Sequence, residues 1–143
     1  MWRALIERHH PEASLNAPAS EDALRRAGRS LGHPLPADLA RLLGESDGVT
    51  DDYGNHLVMP VEELVARNRE HRTDESFKRL YMSFDQLLFF SDAPGDGSLF
   101  AFAVVPEDRP DVFLWEHETD SRRWAAPSLT AFLERGPDGL DLI

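Results

Sequence analysis

The stretch from Gln86 to Val105, QLLFFSDAPGDGSLFAFAVV, constrains the chain more than any other. Two runs dense in Leu, Phe and Val flank Ser91 to Ser98, where Ser, Asp, Pro and Gly interrupt a strand and supply turn-compatible backbone. Each run is far shorter than the ~20 apolar residues that cross a bilayer, and its bulky side chains suit a pleated, buried surface. The stretch predicts a β-hairpin in the middle of a sheet.

The rest of the chain is bounded by its length and charge. At 143 residues it fits one domain over 1–143, a size that buries ~70% of the surface its unfolded chain exposes. The absence of Cys excludes disulfides, thiolate metal sites and a cysteine nucleophile, and is compatible with the cytosol. The opening MWRALIERHH breaks its apolar pattern with Arg3, Glu7, Arg8 and His9, so no signal-peptide block forms; a cytoplasmic protein without membrane contact is the expectation. The formal charge of −11 argues against nucleic acid, whose phosphates require clustered Lys and Arg. A basic protein is the better-matched partner, because complementary charge speeds association; an acidic surface that only confers solubility is the plainer alternative.

In chain order, Trp2, Leu5, Ile6 and His9 share one side of a helix from Met1 to about His10, which Pro11 ends. Pro11 to Ala19 reads as a loop. Ser20 is an N-cap with Glu21 and Asp22 in the first turn, Leu24, Ala27 and Leu31 form a buried stripe, and Gly32 is the stop. Pro36 opens a helix whose Leu39, Leu42 and Leu43 share a face with Leu35. Gly44 to Gly54 reads as loop, Leu57 to Met59 as a short strand, and Pro60 as the start of a helix to about Glu70. HRTDESFKR, residues 71–79, is expected to be exposed, with an extended piece at Tyr81 to Phe84. Pro106 to Pro110 reads as a turn. Asp111 to Glu116 and the segment around Trp124 form a second hairpin, and Ser128 caps a final helix with Leu129, Phe132 and Leu133 on its apolar face, ending near Gly136. Helices lead, strands cluster in the second half and a helix closes the chain, which predicts an α+β fold with helices on a mostly antiparallel sheet.

The ordered set Leu35-Pro36, Ser46-Asp47-Gly48, Met59-Pro60-Val-Glu-Glu-Leu64, Gly95-Asp96-Gly97-Ser-Leu-Phe100, Val112-Phe-Leu-Trp115-Glu-His and Ser128-Leu-Thr-Ala-Phe132-Leu133 resembles the SUKH superfamily. It is similar to the branch named after the fungal cell-wall assembly regulator Smi/Knr, over about residues 20–135. The chain departs from the usual pattern at Asp47, where Asn before Gly is common, and at Leu39, Leu42 and Leu43, where aromatic residues are frequent. The resemblance implies an α+β domain and a non-catalytic binding role. Bacterial members are typically immunity proteins that neutralise polymorphic toxins, whereas the fungal relatives suggest a regulatory scaffold.

Candidate contact residues follow from acidity and turns. Asp92 and Asp96, beside Gly95 and Gly97, do not form a calcium loop, because Pro94 stands where a ligand belongs and no bidentate Glu closes the register. Gly97 or Gly95 supplies positive φ, and Asp92 or Asp96 bonds nearby amides or meets a partner's Arg or Lys. Asp51, Asp52 and Tyr53 form either a solvated loop or a contact surface with Tyr53 as an aromatic anchor. Glu107, Asp108, Asp111, Glu116, Glu118 and Asp120 make the sheet half acidic; Glu116 and Glu118 project to one face, and a true cluster requires loops to converge. The histidines make no metal spacing, no serine has a Gly-x-Ser-x-Gly setting and no phosphate loop precedes a Lys, so no catalytic residue, metal or cofactor is assigned. Paired carboxylates are the one enzymatic option, a hydrolase needing two acids converging across a cleft. Trp115 is expected to share one face with Phe113, with Val112, Leu114 and Glu116 on the other; Trp115 and Trp124 are expected to join or line the core, and an exposed aromatic to favour binding.

Overall fold

The computed structural model describes residues 1–93, 97–104 and 109–135. In order they form α1 (Trp2–His9), β1 (Ser14–Leu15), α2 (Glu21–Leu31), α3 (Ala37–Leu43), β2 (Val49–Thr50), β3 (His56–Val58) and α4 (Val61–Thr73). They continue with α5 (Glu75–Leu80), β4 (Leu87–Asp92), β5 (Leu99–Ala103), β6 (Val112–Glu116), β7 (Ser121–Ala126) and α6 (Leu129–Arg135). The fold is α+β, with antiparallel sheets ordered β1-β2-β3 and β4-β5-β6-β7.

The expected hairpin is β4 and β5, paired from Leu87 opposite Ala103 to Asp92 opposite Leu99 with a bulge between Phe89 and Ser91. It does not occupy the middle of the sheet. β4 is the outer strand, and its free edge is covered where Met59 N–H donates to the Phe90 carbonyl at 2.8 Å. Asn68 of α4 completes that edge: its Nδ2 donates to the Phe89 carbonyl at 2.8 Å and its Oδ1 accepts the Phe89 N–H at 2.7 Å. Both faces of the hairpin are also buried, which explains an unbroken apolar run in place of an alternating one. On one face Phe132 of α6 sits 4.9 Å from Phe100 and 5.3 Å from Phe90, ring centre to ring centre. On the other, Phe89 and Trp115 meet Phe84 and the His71 ring.

Local signals mark the helix ends. Ser20 Oγ accepts the Ala23 N–H, Gly32 ends α2 at φ 85°, and Ser128 Oγ accepts the Ala131 N–H. Several expectations need correction. The Pro11–Ala19 and Gly44–Gly54 loops each contain a two-residue strand, β1 and β2, too short to show a period. His9 faces solvent while Trp2 and Ile6 carry the docking of α1. Residues 71–79 are largely helical, because Asp74 both ends α4 and caps α5 by accepting the Ser76 and Phe77 N–H groups. His71 is buried, 7% exposed. Tyr81–Phe84 is not a strand; it is held by hydrogen bonds from the Tyr81 hydroxyl to the His117 carbonyl and from Met82 N–H to Asp120. The Pro106–Pro110 turn and the helix end near Gly136 fall wholly or partly outside the described residues.

Candidate partner-binding surface

The family-like motifs meet at the base of β2. Ser46 Oγ donates to the Gly48 carbonyl at 2.9 Å, and Asp47 Oδ1 accepts the Val61 N–H at 2.7 Å. Gly48 has φ 99°, and a Cβ there would lie 2.8 Å from Pro60 Cγ. Ser46-Asp47-Gly48 is thus the clasp that seats the start of α4 against the β2–β3 hairpin.

The tip of that hairpin is preset by Asp51, whose Oδ1 accepts the Tyr53 and Asn55 N–H groups, each at 2.9 Å. Asp51 is therefore spent on loop geometry, an Asx-type turn. Asp52 beside it is exposed and makes no ion pair with any described residue; Tyr53 is 86% exposed. Asp92 is also tied down. Its Oδ2 accepts the His56 N–H at 3.0 Å, and its Oδ1 lies 3.7 Å from Arg67, which reaches Glu63 at 3.4 Å; Glu63 in turn meets His56 Nε2 at 2.5 Å. This ring of four residues, closed through the His56 backbone N–H, ties β3, α4 and β4 together.

Register settles whether the acidic loops converge. Asp92 stands opposite Leu99, Leu99 opposite Trp115, and Glu116 opposite Ser121, so the turns after β4 and β6 leave the same end of the sheet. His117 N–H donates to Ser98 Oγ at 3.3 Å and joins those turns, while the His56–Asp92 bond brings in the β2–β3 loop. Asp51, Asp52, Tyr53, Asp92, Glu116 and Glu118 accordingly share one end. Gly97 supplies positive φ at 83°. Glu116 pairs with Arg123 at 3.0 Å, whereas Glu118 is exposed without such a partner among the described residues. Asp120, in the left-handed region at φ 58°, accepts hydrogen bonds from Met82 N–H, Trp115 Nε1 and Arg122. Burial pulls its pKa upward, but those bonds outweigh it and hold the carboxyl below the usual range. Asp96, Glu107 and Asp108 lie outside the described residues.

One feature escapes a reading by acidity alone. Trp115 is buried as expected, but Trp124 is 49% exposed on the outer strand β7, its Nε1 donating to Asp111 Oδ2 at 2.9 Å. The Arg122-Arg123 pair before it is the signal in sequence, since charged residues commonly mark an edge strand. No three His, Cys, Asp or Glu among the described residues gather as a metal site. Nor is the raised acid that a hydrolase requires supplied by Asp120, Asp74 or Glu45, all held below the usual range. No described helix is long and apolar enough to cross a membrane.

Comparison with protein families finds a match to the SMI1 / KNR4 family (SUKH-1) over residues 18–135, and the chain belongs to that family. The family is generally non-catalytic and associated with protein–protein interaction. A search of curated proteins returns no match.

Proposed function

We propose that the chain is a cytoplasmic, non-catalytic immunity-type protein that binds a basic toxin domain through the sheet-end surface and neutralises it by occlusion. The observation that carries the reading is Tyr53, 86% exposed on a loop whose backbone Asp51 fixes, beside Asp52 and at the same end as Glu118, neither of which forms an ion pair among the described residues. An aromatic presented on preset backbone loses little freedom on binding, and such residues concentrate interface energy. Free carboxylates around it match Arg and Lys, and the −11 charge supports fast encounter with a cationic partner. Asp51, Asp92 and Glu116 serve this surface as supports, Asp52, Tyr53 and Glu118 as contacts.

The test is co-expression with a basic toxin domain encoded beside this chain, followed by binding across a salt series. Rescue of growth, with affinity that falls as salt rises, is the expected result. No rescue and no complex would overturn the toxin reading in favour of a regulatory scaffold.

A further inference from the structure

A second concave surface lies between α2 and α3, on elements that take no part in the sheet-end surface. It is an open groove of about 940 Å³ with Leu24, Gly28, Pro34 and Leu35 along it and Arg25 and Arg29 at its margin. The two arginines are four residues apart on α2, so they stand on one side of the helix. Asp22 is their only acidic neighbour in the lining; it lies 3.1 Å from Arg26 and 3.8 Å from Arg25. Arg29 is exposed and makes no ion pair with any described residue. The margin is therefore cationic on a chain of net charge −11.

The groove is also rigid. Gly28 packs so closely on the α2–α3 connection that a Cβ would lie 3.2 Å from the His33 carbonyl. His33 N–H donates to the Gly28 carbonyl at 3.1 Å, and Arg72 bonds both the Leu31 carbonyl, at 3.1 Å, and His33 Nε2, at 2.9 Å. A site held this way needs no reorganisation to receive a ligand.

We propose that this groove docks an acidic amphipathic helix of a partner protein. Apolar side chains at i, i+3 or i+4, and i+7 would lie along Leu24, Pro34 and Leu35, and Asp or Glu on the flank would meet Arg25 and Arg29. Charge complementarity selects the occupant: the margin is cationic where the chain as a whole is strongly anionic, so an acidic segment is attracted here and nowhere near the sheet end. The groove and the toxin surface are separable, since they share no residue.

The probe is a labelled ~18-residue Leu/Glu peptide with helical spacing, compared with its Leu/Lys counterpart by anisotropy and by amide shift mapping on the full chain. The expected result is binding of the acidic peptide alone, with shifts at Leu24, Gly28 and Leu35, and a loss of at least about tenfold in the Arg25→Glu/Arg29→Glu variant. Both arginines are exposed, so that variant keeps the fold, and sheet-end variants leave binding unchanged. Absence of binding at ~1 mM peptide, equal binding of the Lys peptide, or shifts elsewhere would overturn the proposal. Self-association of the chain that R25E/R29E abolishes would instead give the groove to a second copy.

Discussion

The Asp47 carboxylate caps a helix that begins fourteen residues later, accepting the Val61 N–H at 2.7 Å. Pro60, at the N-cap of α4, has no side-chain acceptor of its own, so the motif before β2 supplies one from a distance. Replacing Asp47 by Ala costs about 1–2 kcal/mol, the upper half of the N-cap range, while Asp47→Asn keeps the acceptor and loses little. Urea denaturation of the two variants checks this. Equal losses would mean that charge, not the hydrogen bond, is what matters. Gly48→Ala costs more, at least ~2 kcal/mol, because left-handed strain adds to the collision with Pro60.

Asn68 is fully buried and works as a surrogate strand for β4, satisfying both the N–H and the carbonyl of Phe89 while its Nδ2 also donates to Leu64. Asn68→Ala strands two buried backbone groups and is expected to cost about 2–5 kcal/mol. Hydrogen exchange gives the specific readout: the Phe89 amide loses protection beyond the global change. A loss confined to global stability would contradict the surrogate-strand role.

His71 makes stability depend on pH. Its Nδ1–H donates to the Arg67 carbonyl at 2.9 Å, and its ring stands 4.8–5.5 Å from Phe77, Phe84, Phe89 and Trp115. Burial holds its pKa below the ordinary histidine value, outweighing the hydrogen bond to Arg67. The unfolded chain therefore takes up the proton first as pH falls. Stability is full above about pH 6.5 and declines below it, by up to ~1.4 kcal/mol per pH unit, until the folded-state pKa is reached. Between the wild type and His71→Phe, compared from pH 8 to 5, the difference in denaturation midpoint is expected to stay constant above that point and to shift in favour of the Phe variant below it. The depressed carboxyls Asp74 and Asp120 act in a separate window, losing their contribution as pH falls below about 4.

What could be read from the chain was what is local. Ser20, Gly32, Pro36, Pro60 and Ser128 announce helix ends because capping is settled within a few residues, and the two long hairpins announce themselves through apolar runs and turns. His71 and Asn68 look like ordinary polar helix residues, since the groups that bury them come from β4, β6 and the Tyr81–Phe84 segment. The covering of the β4 edge was illegible for the same reason: it depends on the Met59–Phe90 bond across the two sheets. At the candidate surface the sequence marks the acids but not their employment. Asp51 and Asp92 look as available as Asp52, and only the hydrogen bonds separate support from contact.

In the proposed toxin complex, the sheet-end surface divides its work between one aromatic and a few charges. Tyr53→Ala is expected to weaken the toxin complex by at least about tenfold at any salt concentration, as loss of a hot spot does. Asp52→Lys with Glu118→Lys instead flattens the salt dependence and slows association. Glu7→Lys, an exposed change on α1 of like sign, serves as the control and leaves both quantities near wild type. Isothermal titration and stopped-flow mixing across a salt series separate the two effects.

The most direct measurement is growth of toxin-expressing cells protected by either the wild type or the triple variant Tyr53→Ala/Asp52→Lys/Glu118→Lys. All three positions are exposed or supported by groups that remain, so the variant's melting temperature is checked first and is expected to match. The account predicts that the wild type restores growth and the folded triple variant does not. Equal rescue by both would contradict it and place the neutralising contact elsewhere on the molecule.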